Sequence, residues 1–419
     1  MIKLIEKIEG EASLDFHFKD EVIEFVDINF FSTRGIEDIL KQRSVFDALV
    51  INPRVCGICG HAHLIATVKA IEDCYDGLFI SEKAKIIREL TLNFEIIQNH
   101  FKWFYLTIMP LMGFKQYLLK ATVPSSIAAK AIATIAGQYP HTSYAIAGGV
   151  TSDPVYSDLV KIENYLNEIM NFFKKNVVDI DFEKFTNCED VNSIFRHRGD
   201  LLDVLLKILE NGWEKVGKSY DRFLVLGENS YFMSGKSLKT ILRENIYLNK
   251  IAESENQNSY AKNVTYNKRY YEVGPLSRAM IKKTPLVKAT HRRYADSVFS
   301  RILARVCEIP QLLNHSLKLI KRIDLGEPSY IKPPLEIGSL SAEGTGVVEA
   351  ARGSLVHKVF VKEGVIKDYR IITPTQWNLS NGTRDKPAPA QKAMMGLRST
   401  SLAELVFKSF DVCSVCTTH

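Results

Sequence analysis

Arg54-Val55-Cys56-Gly57-Ile58-Cys59-Gly60-His61-Ala62-His63 near the start of the chain and Asp411-Val412-Cys413-Ser414-Val415-Cys416-Thr417-Thr418-His419 at its end carry the same device. Each separates two cysteines by two residues, a spacing that lets both thiolates face one soft metal, and each has a histidine close behind. Read together, the two pairs predict a single four-sulfur site assembled from both ends of the chain. A structural zinc accepts four thiolates equally well, although such sites usually staple a small ribbon rather than join the ends of a large domain. A thioredoxin-like redox pair explains one copy but not two, and neither copy follows a plain βα pattern. A structural disulfide fits least, because seven cysteines without a secretion signal point to a reducing compartment. Metal binding is the reading that survives, with zinc and other metals both open on spacing alone.

The rest of the sequence sets the frame for that site. With 419 residues and 46% hydrophobic content the chain can bury a substantial core. It is read as a single domain, 1–419, with 180–285 as a candidate peripheral insertion. A net charge of +6, from 54 basic and 48 acidic residues without a long basic run, predicts no nucleic-acid role. Met1-Ile2-Lys3-Leu4-Ile5-Glu6 lacks the apolar segment of a secretion signal, and no stretch reaches the roughly 18 uninterrupted apolar residues of a spanning helix. The expected location is cytoplasmic, or membrane-associated through a partner subunit.

Apolar and polar residues alternate over 12–30, which predicts a β-hairpin turning near Lys19-Asp20. Helical spacing follows from Ile36 to about Leu49, and 62–75 predicts a helix leaving the first motif with His63 on its first turn. Long amphipathic patterns over 81–120, 126–135, 153–175 and 289–322 predict four long helices forming a bundle. Residues 180–285 are mixed, with loops and short strands expected around 227–236 and 253–264. Residues 347–375 return to β character, 378–390 form an irregular loop, and one helix over 389–409 delivers the terminal motif. The predicted fold class is α+β, predominantly α: a long-helix bundle core, small peripheral β-sheets, and the two cysteine motifs meeting at a buried metal site.

The two motifs, with Lys7-Ile8-Glu9-Gly10, Arg34-Gly35-Ile36-Glu37, Gly148-Gly149-Val150-Thr151, Glu272-Val273-Gly274-Pro275-Leu276, Glu349-Ala350-Ala351-Arg352-Gly353 and Trp377-Asn378, resemble the large subunit of nickel–iron hydrogenases over essentially the whole chain. The resemblance implies a nickel–iron centre in which Cys56 and Cys413 are terminal nickel thiolates. Cys59 and Cys416 would bridge to an iron carrying carbon monoxide and cyanide, and soft thiolates suit such a centre. It implies Glu9 as first proton acceptor beside a terminal thiolate. Arg352 would lie over the open site, hydrogen-bonded to a cyanide and paired with Asp411, and Thr375 would donate to the second cyanide. His63 would donate to a bridging sulfur. His61 has no matching role and reads as a surface or packing residue. Glu37, the carbonyl of Ile371 and His419 match a magnesium site tying the chain ends together.

The chain departs from the family pattern at Ala351, where proline is usual, and at Asn99, where aspartate often precedes the histidine. Ile58 and Thr107 occupy expected gas-channel positions. Cys74, Cys188 and Cys307 are scattered and too few for an iron–sulfur relay, so iron–sulfur clusters are expected only in a small partner subunit. Other implied partners are H2 and maturation proteins, with a heterodimer that can repeat in a larger assembly. The implied activity is reversible cleavage of H2, with a slow H2-sensing regulatory subunit as the alternative. A third candidate, the related quinone-module subunit of respiratory complex I, lacks the four cysteines retained here.

Overall fold

Three strands pair where apolar and polar residues alternate: β1 (Ile2–Lys7), β2 (Gly10–Lys19) and β3 (Val22–Asn29) form an antiparallel sheet in that order. Lys19 faces Val22, so Asp20 and Glu21 make a two-residue turn, both with left-handed φ (49° and 62°), the twist such hairpins need. Leu14, Phe16, Ile23, Val26 and Ile28 are buried. The computed structural model describes residues 2–7, 10–227, 239–240, 246–256, 258–413 and 418. Glu9, Cys416 and His419, and 228–236 of the expected loop at 227–236, lie outside the described residues.

The single helical segment expected over 36–49 is two helices, α1 (Ile36–Leu40) and α2 (Val45–Ile51). Tertiary hydrogen bonds break it: the backbone N–H groups of Gln42 and Val45 donate to the carbonyls of Ile366 and Gly364, and Ser44 then caps α2. Helix α3 (Gly60–Asp73) leaves the first cysteine pair and carries His63 on its first turn. It lies on an antiparallel sheet of Ala342–Ala350, Gly353–Lys362 and Val365–Ile372. The approach is close: a Cβ on Gly346 would stand 1.9 Å from the Ala66 carbonyl oxygen.

Helix α4 (Glu82–Trp103), capped by Ser81, does not continue to 120. It widens into a π turn at Phe104–Ile108, next to Pro110, whose ring cannot accept the regular helical ladder, and a 3-10 stretch follows at Lys115–Ala121. Helices Thr122–Ala136, Tyr156–Phe172 and Val298–Ile320 complete the long helical set, α4 and Tyr156–Phe172 each packing on the other two. The helix expected over 289–322 is interrupted. Pro285–Tyr294 ends at Ala295, with φ 58°, where the Asp296 carboxylate turns away to accept the backbone N–H groups of Ser219 and Asp221.

Helices Phe182–Thr186, Val191–Ile194 and Asp200–Glu210 occupy the first part of the region read as mixed. Leu201, Val204, Leu205 and Ile208 bury themselves in the main core. A hairpin of Ile251–Asn256 and Ser259–Tyr266 does form in the 253–264 region. The helix expected over 389–409 is likewise two, Pro389–Met394 and Thr400–Ser409. Between them Gly396 and Leu397 exchange backbone hydrogen bonds with Ile23 on the edge of β3, and that pairing requires a non-helical link. Among the described residues one stretch, Lys115–Ala136, is long and apolar enough to cross a membrane by length and composition, and its helix packs on α4 and Tyr156–Phe172. The chain is α+β, predominantly helical with small sheets.

Candidate metal centre

The first cysteine pair is held by backbone geometry. Pro53 opens a 3-10 turn at Asn52–Arg54, and Cys59 is the residue just before α3. Only glycine fits at position 60, because a Cβ there would stand 2.2 Å from the Pro53 carbonyl oxygen. The sulfur of Cys56 accepts the backbone N–H groups of Cys59 at 3.1 Å and Ile58 at 3.4 Å, which stabilises negative charge on it. Behind the motif, Glu95 of α4 accepts the N–H groups of His61 and Ala62 at 2.9 and 3.0 Å, satisfying two donors at the start of α3. Burial pushes the Glu95 carboxyl up to about 8 despite these two bonds.

The second motif reaches the same place. Cys413 Sγ lies 3.7 Å from Cys56 Sγ, and Cys56, Cys59 and Cys413 form one buried thiol cluster against Ile58. That separation is far beyond the roughly 2.05 Å of a disulfide and suits two ligands of one ion. Asp411, with φ 61°, aims its carboxylate at two buried guanidinium groups. Oδ2 accepts from Arg305 Nη1 at 2.7 Å, and Oδ1 lies 3.2 Å from Arg352 Nε, near enough to pair but not aligned for a hydrogen bond.

Arg352 sits in the two-residue turn between Ala350 and Gly353. Burial alone would favour its neutral form, yet Asp411 and the sulfurs of Cys413, Cys59 and Cys56 hold its charge more firmly than usual. Thr375 enters on the short helix Pro374–Leu379, anchored by a reciprocal Thr373–Gln376 cap. A small pocket is lined by Cys59, His63, Ala350, Arg352, Leu355, Pro374 and Thr375. Two of these lining residues keep a buried polar atom without a hydrogen-bond partner, Arg352 Nη1 and Thr375 Oγ1. An unsatisfied buried polar group costs about 1–3 kcal/mol, so two on one pocket beside a cysteine sulfur imply an acceptor-bearing ligand. A cation and a hydroxyl over soft sulfur donors fit a soft metal carrying small anionic acceptors.

His61 is buried rather than on the surface: it stacks on Tyr144 at 5.3 Å, and burial lowers its imidazole to about 3, so it packs as a neutral ring. Asn99 bonds the Ile58 carbonyl at 3.2 Å and thus braces the cysteine loop. Thr107 is half-buried on the π turn. Glu37 and Ile371 are neighbours, but the contact runs through the Ile371 N–H (2.7 Å), and Lys262 Nζ pairs with the other carboxylate oxygen at 2.6 Å. This lysine has no counterpart in the sequence reading.

Sequence reasoning also misses a buried charge network behind Asp411. Arg305 Nη1 lies 3.3 Å from His100 Nδ1, His100 Nε2 2.6 Å from Glu308, and Arg278 bonds both Glu308 and Glu349. Burial lowers His100 to about 4, so it is neutral and donates from Nε2. Burial would raise Glu308, but Arg278 and His100 together hold it at about 2. Arg278 also donates to the carbonyls of Ala350 and Ala351, fixing the turn that presents Arg352. The available signal is the run Arg301, Arg305 and Glu308 at buried positions of one helix.

The family described as nickel-dependent hydrogenase matches residues 34–109 and 227–419. Sulfhydrogenase 1 subunit alpha of Pyrococcus furiosus is 24% identical over 437 residues, covering 99% of this chain and 96% of that protein. The periplasmic [NiFeSe] hydrogenase large subunit of Desulfomicrobium baculatum is 24% identical over 490 residues, covering 99% and 93%. Among solved structures, the Ni-Fe-Se hydrogenase of D. vulgaris Hildenborough superposes with a TM-score of 0.82 at 22% identity, covering 100% of both chains.

Proposed function

The chain belongs to the nickel-dependent hydrogenase family, and from that premise we propose that Cys56, Cys59, Cys413 and Cys416 hold a nickel–iron centre whose iron carries carbon monoxide and cyanide. The chain is the catalytic large subunit of a nickel–iron hydrogenase. When bound, the centre supplies the reversible heterolytic cleavage of H2 into two protons and two electrons. The observation that carries the assignment is the pair of unpartnered buried donors, Arg352 Nη1 and Thr375 Oγ1, beside Cys59.

The protein residues divide the remaining work. Arg352 and Thr375 would satisfy their donors on cyanide nitrogens and so orient the group. Asp411 holds the Arg352 fork from behind. Glu9 would take the first proton, as the family motif around it implies, and His63 would donate to a cysteine sulfur of the centre. Cys74 and Cys307 are buried, and burial pushes the Cys74 thiol up to about 11 and the Cys307 thiol higher still, as befits small core residues. The matched relatives are alpha or large subunits, which supports a small partner subunit, and its iron–sulfur clusters would take the electrons. Maturation proteins that load the centre, and any membrane attachment through the partner, belong to the same proposal.

Magnesium at Glu37, the Ile371 carbonyl and His419 is the tether proposed for the chain ends. The Ile371 N–H already orients Glu37, and magnesium would have to displace the Lys262 ammonium, which in its absence neutralises the carboxylate. The function is tested by H2 oxidation with an artificial electron acceptor, using the chain with its partner subunit. Turnover that requires nickel is expected. A folded, nickel-loaded complex that binds H2 with almost no turnover would instead make the chain a sensor.

A further inference from the structure

Behind the pocket, five buried polar side chains join into one hydrogen-bonded unit: His63, His357, Tyr369, Thr67 and Asn52. His63 Nδ1 lies 3.0 Å from His357 Nε2. His357 Nδ1 lies 2.8 Å from the Tyr369 hydroxyl and 3.3 Å from Thr67 Oγ1. The Thr67 hydroxyl donates to the His63 carbonyl at 2.8 Å, receives Asn52 Nδ2 at 2.8 Å, and lies 3.2 Å from the Tyr369 hydroxyl. With its own proton committed, Thr67 cannot donate to His357.

Proton counting leaves two orders for neutral rings. One proton must sit between the imidazoles, since two bare nitrogens repel and two N–H groups clash. In the first order Tyr369 donates to His357 Nδ1, His357 donates from Nε2 to His63 Nδ1, and His63 carries its proton on Nε2. In the second, His63 donates from Nδ1 to His357 Nε2, His357 donates from Nδ1 to Tyr369, and Tyr369 donates to Thr67. The second order leaves His63 Nε2 bare. His63 and Cys59 line the same pocket, so an electron-rich sulfur there selects the first order, in which every proton points towards the sulfur.

We infer that His357 and Tyr369 are positioning residues that hold His63 as a neutral Nε2–H donor towards the cysteine sulfurs and strengthen that donation through the chain. The inference rests on the nickel–iron reading for what the sulfurs bind; the five side chains reduce the proton order to two, and the cysteine sulfur on the same pocket as His63 selects between them. A donor on Nδ1 makes the opposite N–H more acidic, so each upstream link draws electron density from the sulfur. The buried Tyr369 hydroxyl stands at the head of the chain, so the chain begins with a donor in place.

The test compares Tyr369→Phe, His357→Gln and His357→Leu in the enzyme loaded with metal, read by the infrared CO and CN bands and by the reduction potential. Gln can still donate to His63 Nδ1, whereas Leu cannot. His357→Leu should move the CO band to lower frequency and the potential to more negative values. Tyr369→Phe should give a smaller shift of the same sign, and Gln should restore both near the wild type. Equal shifts for Gln and Leu, or no shift for Leu in folded protein, would overturn the inference.

Wild-type protein without CO and CN bands would sink the nickel–iron reading instead. The relay would still be decided by nitrogen-15 spectra of the metal-free full chain labelled at histidine. His63 and His357 must then both carry their proton on Nε2. Both on Nδ1, mixed tautomers, or a charged ring at neutral pH would refute it.

Discussion

Replacing Arg278 by methionine tests whether the buried charge network holds the canopy over the metal centre. Arg278 is fully buried and makes hydrogen bonds to Glu308 Oε1 and Oε2 at 2.8 and 2.6 Å, to Glu349 Oε2 at 3.0 Å, and to the carbonyls of Ala350 and Ala351 at 2.9 and 3.1 Å. Removing one partner of a buried pair typically costs about 3–5 kcal/mol. Two carboxylates lose their partner here, so the loss should reach the upper end, about 5 kcal/mol, against the roughly 5–15 kcal/mol that holds a domain folded. The loss should also depend on pH.

In the native chain Glu308 is held at about 2, below its unfolded value of about 4.3. Its contribution is therefore present above about pH 4.3 and is lost as pH falls towards 2. Without Arg278, burial dominates and lifts its folded value above the unfolded one. The contribution then reverses, present at low pH and lost as pH rises. Glu349, already raised chiefly by burial, shifts further in the same direction. Denaturant unfolding at pH 5 and pH 8 should show the deficit of the variant shrinking at pH 5, by up to about 1.4 kcal/mol per pH unit for each carboxylate. A deficit below about 1 kcal/mol, or one equal at both pH values, would refute the network argument.

Cys56→Ser or Cys413→Ser should abolish nickel retention, measured by elemental analysis, while leaving much of the helical circular dichroism intact. Glu9→Gln keeps size and hydrogen bonding but cannot relay a proton. Metal content should be unchanged while turnover falls about 10²–10⁴-fold; lost metals with normal activity per nickel would make Glu9 an assembly residue. Chelation of magnesium should lower thermal stability in the wild type, and Glu37→Gln should abolish that sensitivity. No response to chelation in the wild type would leave the Lys262 ammonium paired with Glu37 in place of magnesium.

The parts of the fold legible in the sequence are those governed by local periodicity. The β2–β3 hairpin follows alternation around a two-residue turn, and α3 and α4 begin where the spacing predicts. Breaks inside helical patterns are illegible because distant backbone groups make them: Ile366 and Gly364 divide α1 from α2, and Ile23 divides the two C-terminal helices. The site is legible to the extent that cysteine spacing and flanking motifs name Cys56, Cys59, Cys413, Arg352, Asp411 and Thr375, which the structure gathers at one place. His357 and Tyr369 bond behind it from remote strands, Arg278 fixes the Arg352 turn from a remote helix, and Lys262 pairs with Glu37. Each reads in isolation as an ordinary strand, surface or helix residue, and only tertiary pairing shows its partner.

The cysteine cluster, Arg352 and Thr375 would together hold nickel with an iron bearing carbon monoxide and cyanide. Infrared spectroscopy of the purified complex with its partner subunit tests this most directly. Bands of one carbon monoxide and of cyanide on a metal are expected, with the cyanide bands shifting in Thr375→Val as its hydrogen bond is lost. A complex that turns over H2 yet shows no such bands, or bands indifferent to both Arg352→Lys and Thr375→Val, would contradict it.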